Sequence, residues 1–380
     1  MKQRVKPFTL FLCISILIFI IFGPVVIYRG LRRPNPLELI KSNKPKWTGM
    51  IKIWHVGDYT ICGRGNVETW LKDAITAIEG RYPEVFFEVR SMTPDRLNMY
   101  FQEDLDRDVL PDIVSLNTYD SIVSPHMLED LNKYFSKEEL KLLIQPAKDM
   151  STRDNKLIGL PYMIGWYTFI INTELVDEEQ WEYADIDLGE DMGWDVLHQL
   201  ISKVACDEED KNTTEHFGFV SYESPYSRPI ECVVDSYIDR WIVEGMAPAN
   251  MGEMTYDEGW RIFALERRAG IFLGPTKAIY TIRGSEEKGE IPPGRVLPIP
   301  KGTYIKVDQL GSYGLLKQDD EYKRMICIDF LRELLGEDMQ ISLDGLGMFS
   351  VRRDITHIYD ADEDMGRLEE QLNGLYKYEK

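Results

Sequence analysis

Met50-Ile51-Lys52-Ile53-Trp54 begins the alternation that decides the fold. Apolar residues flanking a single lysine read as a buried first strand, and a glycine-containing turn at Gly57-Asp58 follows it. From Val67 to Ile78 apolar residues recur at helical spacing, and Pro83 ends that helix. Val85-Phe86-Phe87-Glu88-Val89 is a second strand, Arg96 to Leu105 a second helix, and Asp112-Ile113-Val114-Ser115-Leu116 a third strand. Strand and helix in turn specify an α/β protein with a parallel sheet.

Farther along, Leu160 to Ile171 is a long apolar-aromatic strand, Trp194 to Ala205 a helix, and Phe217-Gly218-Phe219-Val220 a strand. Helices are expected over Val233 to Val243 and Tyr256 to Arg267, and strands at Arg295 to Pro300 and Gly311 to Leu316. Two more helices follow, over Tyr322 to Leu335 and Asp338 to Leu343. The chain has 380 residues and no visible internal repeat. At about 100–200 residues per domain this points to two lobes of one kind, not an array.

In the other direction the chain turns apolar. Pro7 to Tyr28 is a run of 22 residues without a charge, built around Ile16-Leu17-Ile18-Phe19-Ile20-Ile21-Phe22. About 20 such residues cross a bilayer. The run exceeds a signal-peptide core and no small-x-small site follows it, so residues 1–30 read as a retained anchor in preference to a cleaved signal segment. Cys13 sits mid-run, where a lipid anchor is not attached. Residues 31–48 form a Pro/Lys stalk with Pro34, Pro36 and Pro45. Arg29, Arg32, Arg33, Lys41, Lys44 and Lys46 follow the span, and these charges taken alone lean toward a cytoplasmic body.

Net charge is −20, from 44 Lys+Arg against 64 Asp+Glu. The first 33 residues hold six basic side chains and no acid, so the remainder carries −26. Such a body repels phosphate backbones, which excludes nucleic acid as a partner and suits a neutral or cationic small ligand. A hydrophobic content of 44% supplies a core and excludes wholesale disorder.

Catalytic signatures are missing: there is no P-loop, no H-E-x-x-H, no G-x-S-x-G and no G-x-G-x-x-G after a strand. His55, His126, His198, His216 and His357 are scattered and read as surface or satisfied core histidines. Asp185 and Asp187 are a chance pair in so acidic a chain. Asp360 to Gly366 superficially matches a calcium loop, but its glycine and its twelfth residue are wrong, and it reads as a solvated acidic helix start. Cys62, Cys206, Cys232 and Cys327 lack zinc spacing and read as free buried thiols. Neither a metal nor a cofactor is expected. Aromatics are plentiful near turns and strand ends: Trp54, Tyr59, Tyr119, Tyr162, Trp166, Tyr226, Trp241 and Tyr313. Rings beside carboxylates and amides suit a neutral polyol, whose C–H faces stack while its hydroxyls hydrogen-bond.

The order of segments resembles the extracellular solute-binding proteins of ABC importers, in the cluster that includes maltose- and oligosaccharide-binding proteins. Ile51 to Asp58 is similar to the family's first strand and ligand-facing turn, and Leu110-Pro111-Asp112-Ile113-Val114 to its P-D-I/V strand. Asn155 to Tyr162 followed by Phe169 to Leu175 resembles the crossover between lobes. Gly270 to Thr276 resembles the return region, and Val296 to Gly302 the LP-P-G strand before the hinge. The resemblance implies a two-lobed periplasmic-binding-protein-like clamp (type II), each lobe a sheet flanked by helices with a cleft between. Lobe 1 is expected over 49–158 with a return segment at 270–318, and lobe 2 over 159–269 with C-terminal helices at 319–380.

It implies further that the chain is no enzyme. It would act as a monomer that binds a sugar or oligosaccharide and delivers it to ABC permease subunits at the extracellular face of the membrane. The alternative is a ligand sensor that signals through a membrane partner. Carried over by position, the ligand contacts would include Asp58, Asn117, Glu223 and Tyr226; the aromatics Tyr59, Tyr162, Trp166, Trp241 and Tyr313, and Thr276, complete the expected set. Two positions depart from the maltose-binder pattern: Thr276 stands in place of a stacking tryptophan and Gly165 in place of a glutamate. The short tail after Val351 implies reduced late helices.

Overall fold

The computed structural model describes residues 47–56, 67–103, 109–116, 123–176, 192–205, 216–223, 228–286, 289, 291–303 and 306–377. The apolar run 7–28 and nearly all of the stalk lie outside them; among the described residues no helix is long and apolar enough to cross a membrane.

Strand β1 (Gly49–Val56) is followed by helix α1 (Val67–Arg81), which buries Val67, Trp70, Leu71, Ala74 and Ile78 on one stripe. Strand β2 (Val85–Met92) leads to α2 (Pro94–Gln102), started by the Thr93 side chain and by Pro94 in the first turn. Strand β3 (Ile113–Ser115) closes the parallel set, in the order β2-β1-β3. Short helices α3 (Lys137–Leu142) and α4 (Gln145–Met150) precede a small hairpin, β4 (Thr152–Arg153) and β5 (Lys156–Leu157). The hairpin turns on Asp154 and Asn155, which take φ of 48° and 61° because their short polar side chains tolerate the left-handed region.

Strand β6 (Leu160–Asn172) is buried along all 13 residues. It is followed by α5 (Trp194–Ala205), β7 (Phe217–Val220), α6 (Asp235–Val243) and α7 (Tyr256–Trp260), the last opened by a Thr255–Glu258 capping box. Then come β8 (Ala269–Pro275), α8 (Ala278–Glu286), β9 (Gly294–Val296) and β10 (Val307–Leu315). Helices α9 (Glu321–Leu334), α10 (Glu337–Ile341) and α11 (Glu363–Leu372) end the fold.

One strand joins two sheets. The first part of β6 pairs antiparallel with β10, from Tyr313↔Leu160 to Val307↔Trp166, and its second part pairs with β8 and β9. Strand β10 is also antiparallel to β3, so β1, β2 and β3 run the same way as β6, toward the second lobe. Strand β8 is antiparallel to β6 and β7 is parallel to β8, so these two run back toward the first. The carboxyl ends of the parallel strands in both lobes therefore face each other across the stretch of β6 and β10 between them.

A third crossing lies beside these two, where Ile164 and Phe349 exchange backbone hydrogen bonds of 3.1 and 2.8 Å. Buried Gln340 ties it down. Its amide nitrogen donates to the Tyr162 and Leu334 carbonyls (2.7 and 2.8 Å), and its oxygen accepts from Ser350 Oγ and the Val351 amide (2.8 and 3.1 Å).

The lobe boundaries differ from those expected. Strand β8 lies in the second sheet, between β6 and β7, so the return to the first lobe begins only at β10. Helix α9 packs on α1 and belongs with the first lobe, and α11 packs on β9 in the second. Local pattern could not reveal this, because pairing partners are distant in sequence. The acidic run at 360–366 does start a helix, with Asp362 as its cap, but not a solvated one. Asp364 is buried and Arg295, Arg367 and Arg283 converge on it at 2.9, 3.0 and 3.5 Å. The tail thus carries a helix of ten residues within the stretch 319–380 where C-terminal helices were expected.

Candidate functional site

Ligands of open α/β sheets bind outside the carboxyl ends of the strands, and here two sets of such ends oppose each other. On the first lobe's side the last residues are polar. His55 Nδ1 lies 2.8 Å from the Tyr313 hydroxyl and 3.4 Å from Ser115 Oγ, and Ser115 Oγ accepts the Val56 amide at 3.1 Å. Burial pushes the His55 pKa down to about 4, against the opposing pull of the Glu68 carboxylate, so the ring is neutral at pH 7.

Between the lobes, Lys277 Nζ donates to Gln309 Oε1 at 3.1 Å. Burial raises the pKa of the adjacent Asp308, opposed by the Lys277 charge and by a hydrogen bond from Tyr167. On the second lobe's side, Ser221 Oγ donates to the Leu273 carbonyl at 2.9 Å, and the Thr276 amide donates to the Trp166 carbonyl at 2.8 Å. The Glu223 amide donates to Met254 O at 2.8 Å, and its carboxylate lies 3.9 Å from Arg228. Among the described residues no group of three or more His, Cys, Asp or Glu side chains is placed to hold a metal. Cys232 and Cys327 are free and buried, and Cys62 and Cys206 lie outside the described residues.

Of the residues named from sequence, Asp58, Tyr59, Asn117 and Tyr226 lie outside the described residues. The aromatic ones that are described are all buried. Tyr162 is sandwiched between Trp70 and Tyr313, with centroids 5.6 and 4.8 Å away, and presents no free face. Trp241 lies in the second lobe's core against Phe219, its indole N–H directed to His198 Nδ1 at 3.0 Å. Trp166 is only 2% exposed, at the crossing where β6 changes sheets. Tyr313 is buried and reaches the site through its hydroxyl alone.

The physical reason is common to Tyr162 and Trp166: a strand covered on both faces buries every ring it carries. Thr276 is buried at the end of β8, and Glu223 keeps a third of its side chain exposed at the end of β7. The structure therefore brings Tyr162 with Tyr313, and Trp166 with Thr276, and leaves Trp241 apart. Gly165 is explained by packing, since a Cβ there would stand 3.1 Å from Met348 Cε.

His55, Ser115, Ser221, Lys277 and Gln309 escaped the sequence reading. Their signal was a polar residue at the end of an otherwise apolar strand, as in Ile51-Lys52-Ile53-Trp54-His55 and Ile113-Val114-Ser115.

No family model and no curated protein matches the chain. Solved structures do. Maltose-bound MalE3 of T. maritima is similar at a TM-score of 0.57 and 17% identity, over 84% of this chain and 86% of that one. An ABC substrate-binding protein of Listeria monocytogenes in complex with cycloalternan matches at 0.57 and 14%, over 86% and 87%. The cyclic alpha-maltosyl-1,6-maltose binding protein of Arthrobacter globiformis matches at 0.61 and 14%, over 86% and 87%. At such identities the likeness establishes the fold: a mixed α/β, two-lobed binding-protein architecture.

Proposed function

We propose that the chain binds a sugar or oligosaccharide between its opposed strand ends and passes it to an ABC permease, without catalysing a reaction. The observation that carries this reading is the topology, which turns the carboxyl ends of β1 and β3 toward those of β7 and β8 across a bridge of three crossing segments. The polar side chains at those ends can pair with hydroxyl groups, and the solved proteins of this fold named above carry maltose, cycloalternan or a cyclic maltosyl-maltose in their names. A crossing bridge suits a clamp that closes by hinge motion. The apolar run 7–28 would hold the body at the extracellular face of the membrane.

Thermal melting of the purified chain against maltose, maltotriose and larger or cyclic saccharides tests the reading. A ligand at about 100 times its dissociation constant adds roughly 2.7 kcal/mol of stability. A saccharide of this panel is expected to raise the melting temperature. A cooperative melt that none of them moves contradicts the sugar reading.

A further inference from the structure

The last row of the first sheet is polar where a core row belongs. His55 on β1, Ser115 on β3 and Tyr313 on β10 are buried side by side, and Ser91 on β2, paired with His55, is exposed. Two residues earlier on the same face the row is Val89, Ile53, Ile113 and Leu315. Side chains that replace a hydrophobic layer at the end of a parallel sheet, at a cost in burial, mark a place where stability yields to function.

Within that row one atom is unsatisfied. His55 is 1% exposed, and its Nε2 has no hydrogen-bond partner. Two hydroxyls, Tyr313 and Ser115, face Nδ1, each with a proton to give. With both hydroxyls donating, Nδ1 is the acceptor and the ring proton sits on Nε2, an assignment drawn from this hydrogen-bond pattern. A buried donor left unpaired costs about 1–3 kcal/mol and is rare in folded proteins. The Nδ1 contacts also fix the ring, so the N–H is held in one direction before anything binds.

We infer that His55 is a specificity-determining residue of the strand-end site, its Nε2–H donating to an acceptor oxygen of the bound solute. The inference rests on the reading of that site as a saccharide site. It selects for an oxygen that can accept at this one position, so a sugar epimer or deoxy sugar lacking that oxygen is discriminated against.

The test combines two measurements on the full chain. In protein labelled with ¹⁵N-histidine, the His55 ring is expected as the neutral Nε2–H form. Saturation with maltotriose should shift that proton's resonance and slow its exchange with water. By isothermal titration, His55→Phe should bind maltotriose about tenfold more weakly, and His55→Gln, which keeps an N–H donor, should lose less. If His55→Phe does not fold, the resonance and the glutamine variant decide.

Wild-type affinity in a folded His55→Phe, an equal loss in the phenylalanine and glutamine variants, or an Nε2–H resonance unmoved by saturating maltotriose each overturns the inference and leaves an internal water as the donor's partner. A wild-type protein that binds neither maltotriose nor any other saccharide of the panel overturns the sugar reading first, and this inference with it.

Discussion

Gln340 and His55 are both buried polar residues beside the junction of the lobes, and they are treated in opposite ways. Every hydrogen-bonding atom of the Gln340 amide oxygen and nitrogen is engaged by β6, the end of α9 and the Ser350-Val351 segment. His55 is satisfied at Nδ1 and open at Nε2. A saturated buried network specifies structure. An unsaturated one, held in place by its other half, is a group waiting for something that is not part of the chain. The difference separates a residue that holds the bridge in shape from one that, in the proposed function, meets the solute.

The comparison breaks most visibly at Gln340. Gln340→Leu removes four hydrogen bonds, to the Tyr162 and Leu334 carbonyls and from the Ser350 hydroxyl and the Val351 amide, and should lower unfolding stability by about 4 kcal/mol, read by urea denaturation. A loss below about 1 kcal/mol would show that the bridge does not depend on it.

The pH dependence sharpens the other side. The folded-state pKa of His55, about 4, lies below the ordinary 6.5, so between those values the unfolded chain binds the extra proton. Stability contributed by the neutral buried ring is present above pH 6.5 and is lost as pH falls toward 4, by roughly 3 kcal/mol in all. Carboxylates add their own slope at the acid end, so the measurement is the difference between wild type and His55→Phe across pH 7 to 4. Parallel curves would contradict the buried neutral ring.

A smaller effect is expected at the tail. Asp364→Asn leaves Arg283, Arg295 and Arg367 facing one another without their shared carboxylate. About 2 kcal/mol should be lost, because the arginines are partly exposed and solvent screens them. The amides of α11 should then exchange faster while those of α1 do not change. The smallest effect belongs to Gly165→Ala. Its Cβ crowds the flexible end of Met348 and makes ordinary contact with Gln309 Cβ at 3.6 Å, and under about 1 kcal/mol is expected in a thermal melt.

Much of the fold was legible in short-range pattern. Helix Trp194–Ala205 and strand Phe217–Val220 run over the residues their periodicity marks, and Leu160–Asn172 reads as a continuously buried strand. What pattern could not carry was pairing. Ala269–Pro275 is an apolar strand whose place between β6 and β7 depends on partners about 50 to 100 residues away. The acid at 364 could not announce its arginines for the same reason.

The site was less legible still. Aromatic residues were expected to stack on a ligand, but Tyr162, Trp166 and Trp241 fill the interior. Composition shows that a ring is present and not which faces are already covered. The better signal was a polar side chain closing an apolar strand, because a buried polar group there has no structural reason unless something pairs with it.

Hydrogen–deuterium exchange of the full chain, with and without a saccharide that raises its melting temperature, tests most directly whether the opposed strand ends form one site. Protection should appear together at residues 54–56 and 115–116 of the first lobe, at 221–223 and 276–277 of the second, and at 309 on the bridge. Protection confined to one lobe, or to the outward helices, would contradict a site shared between them.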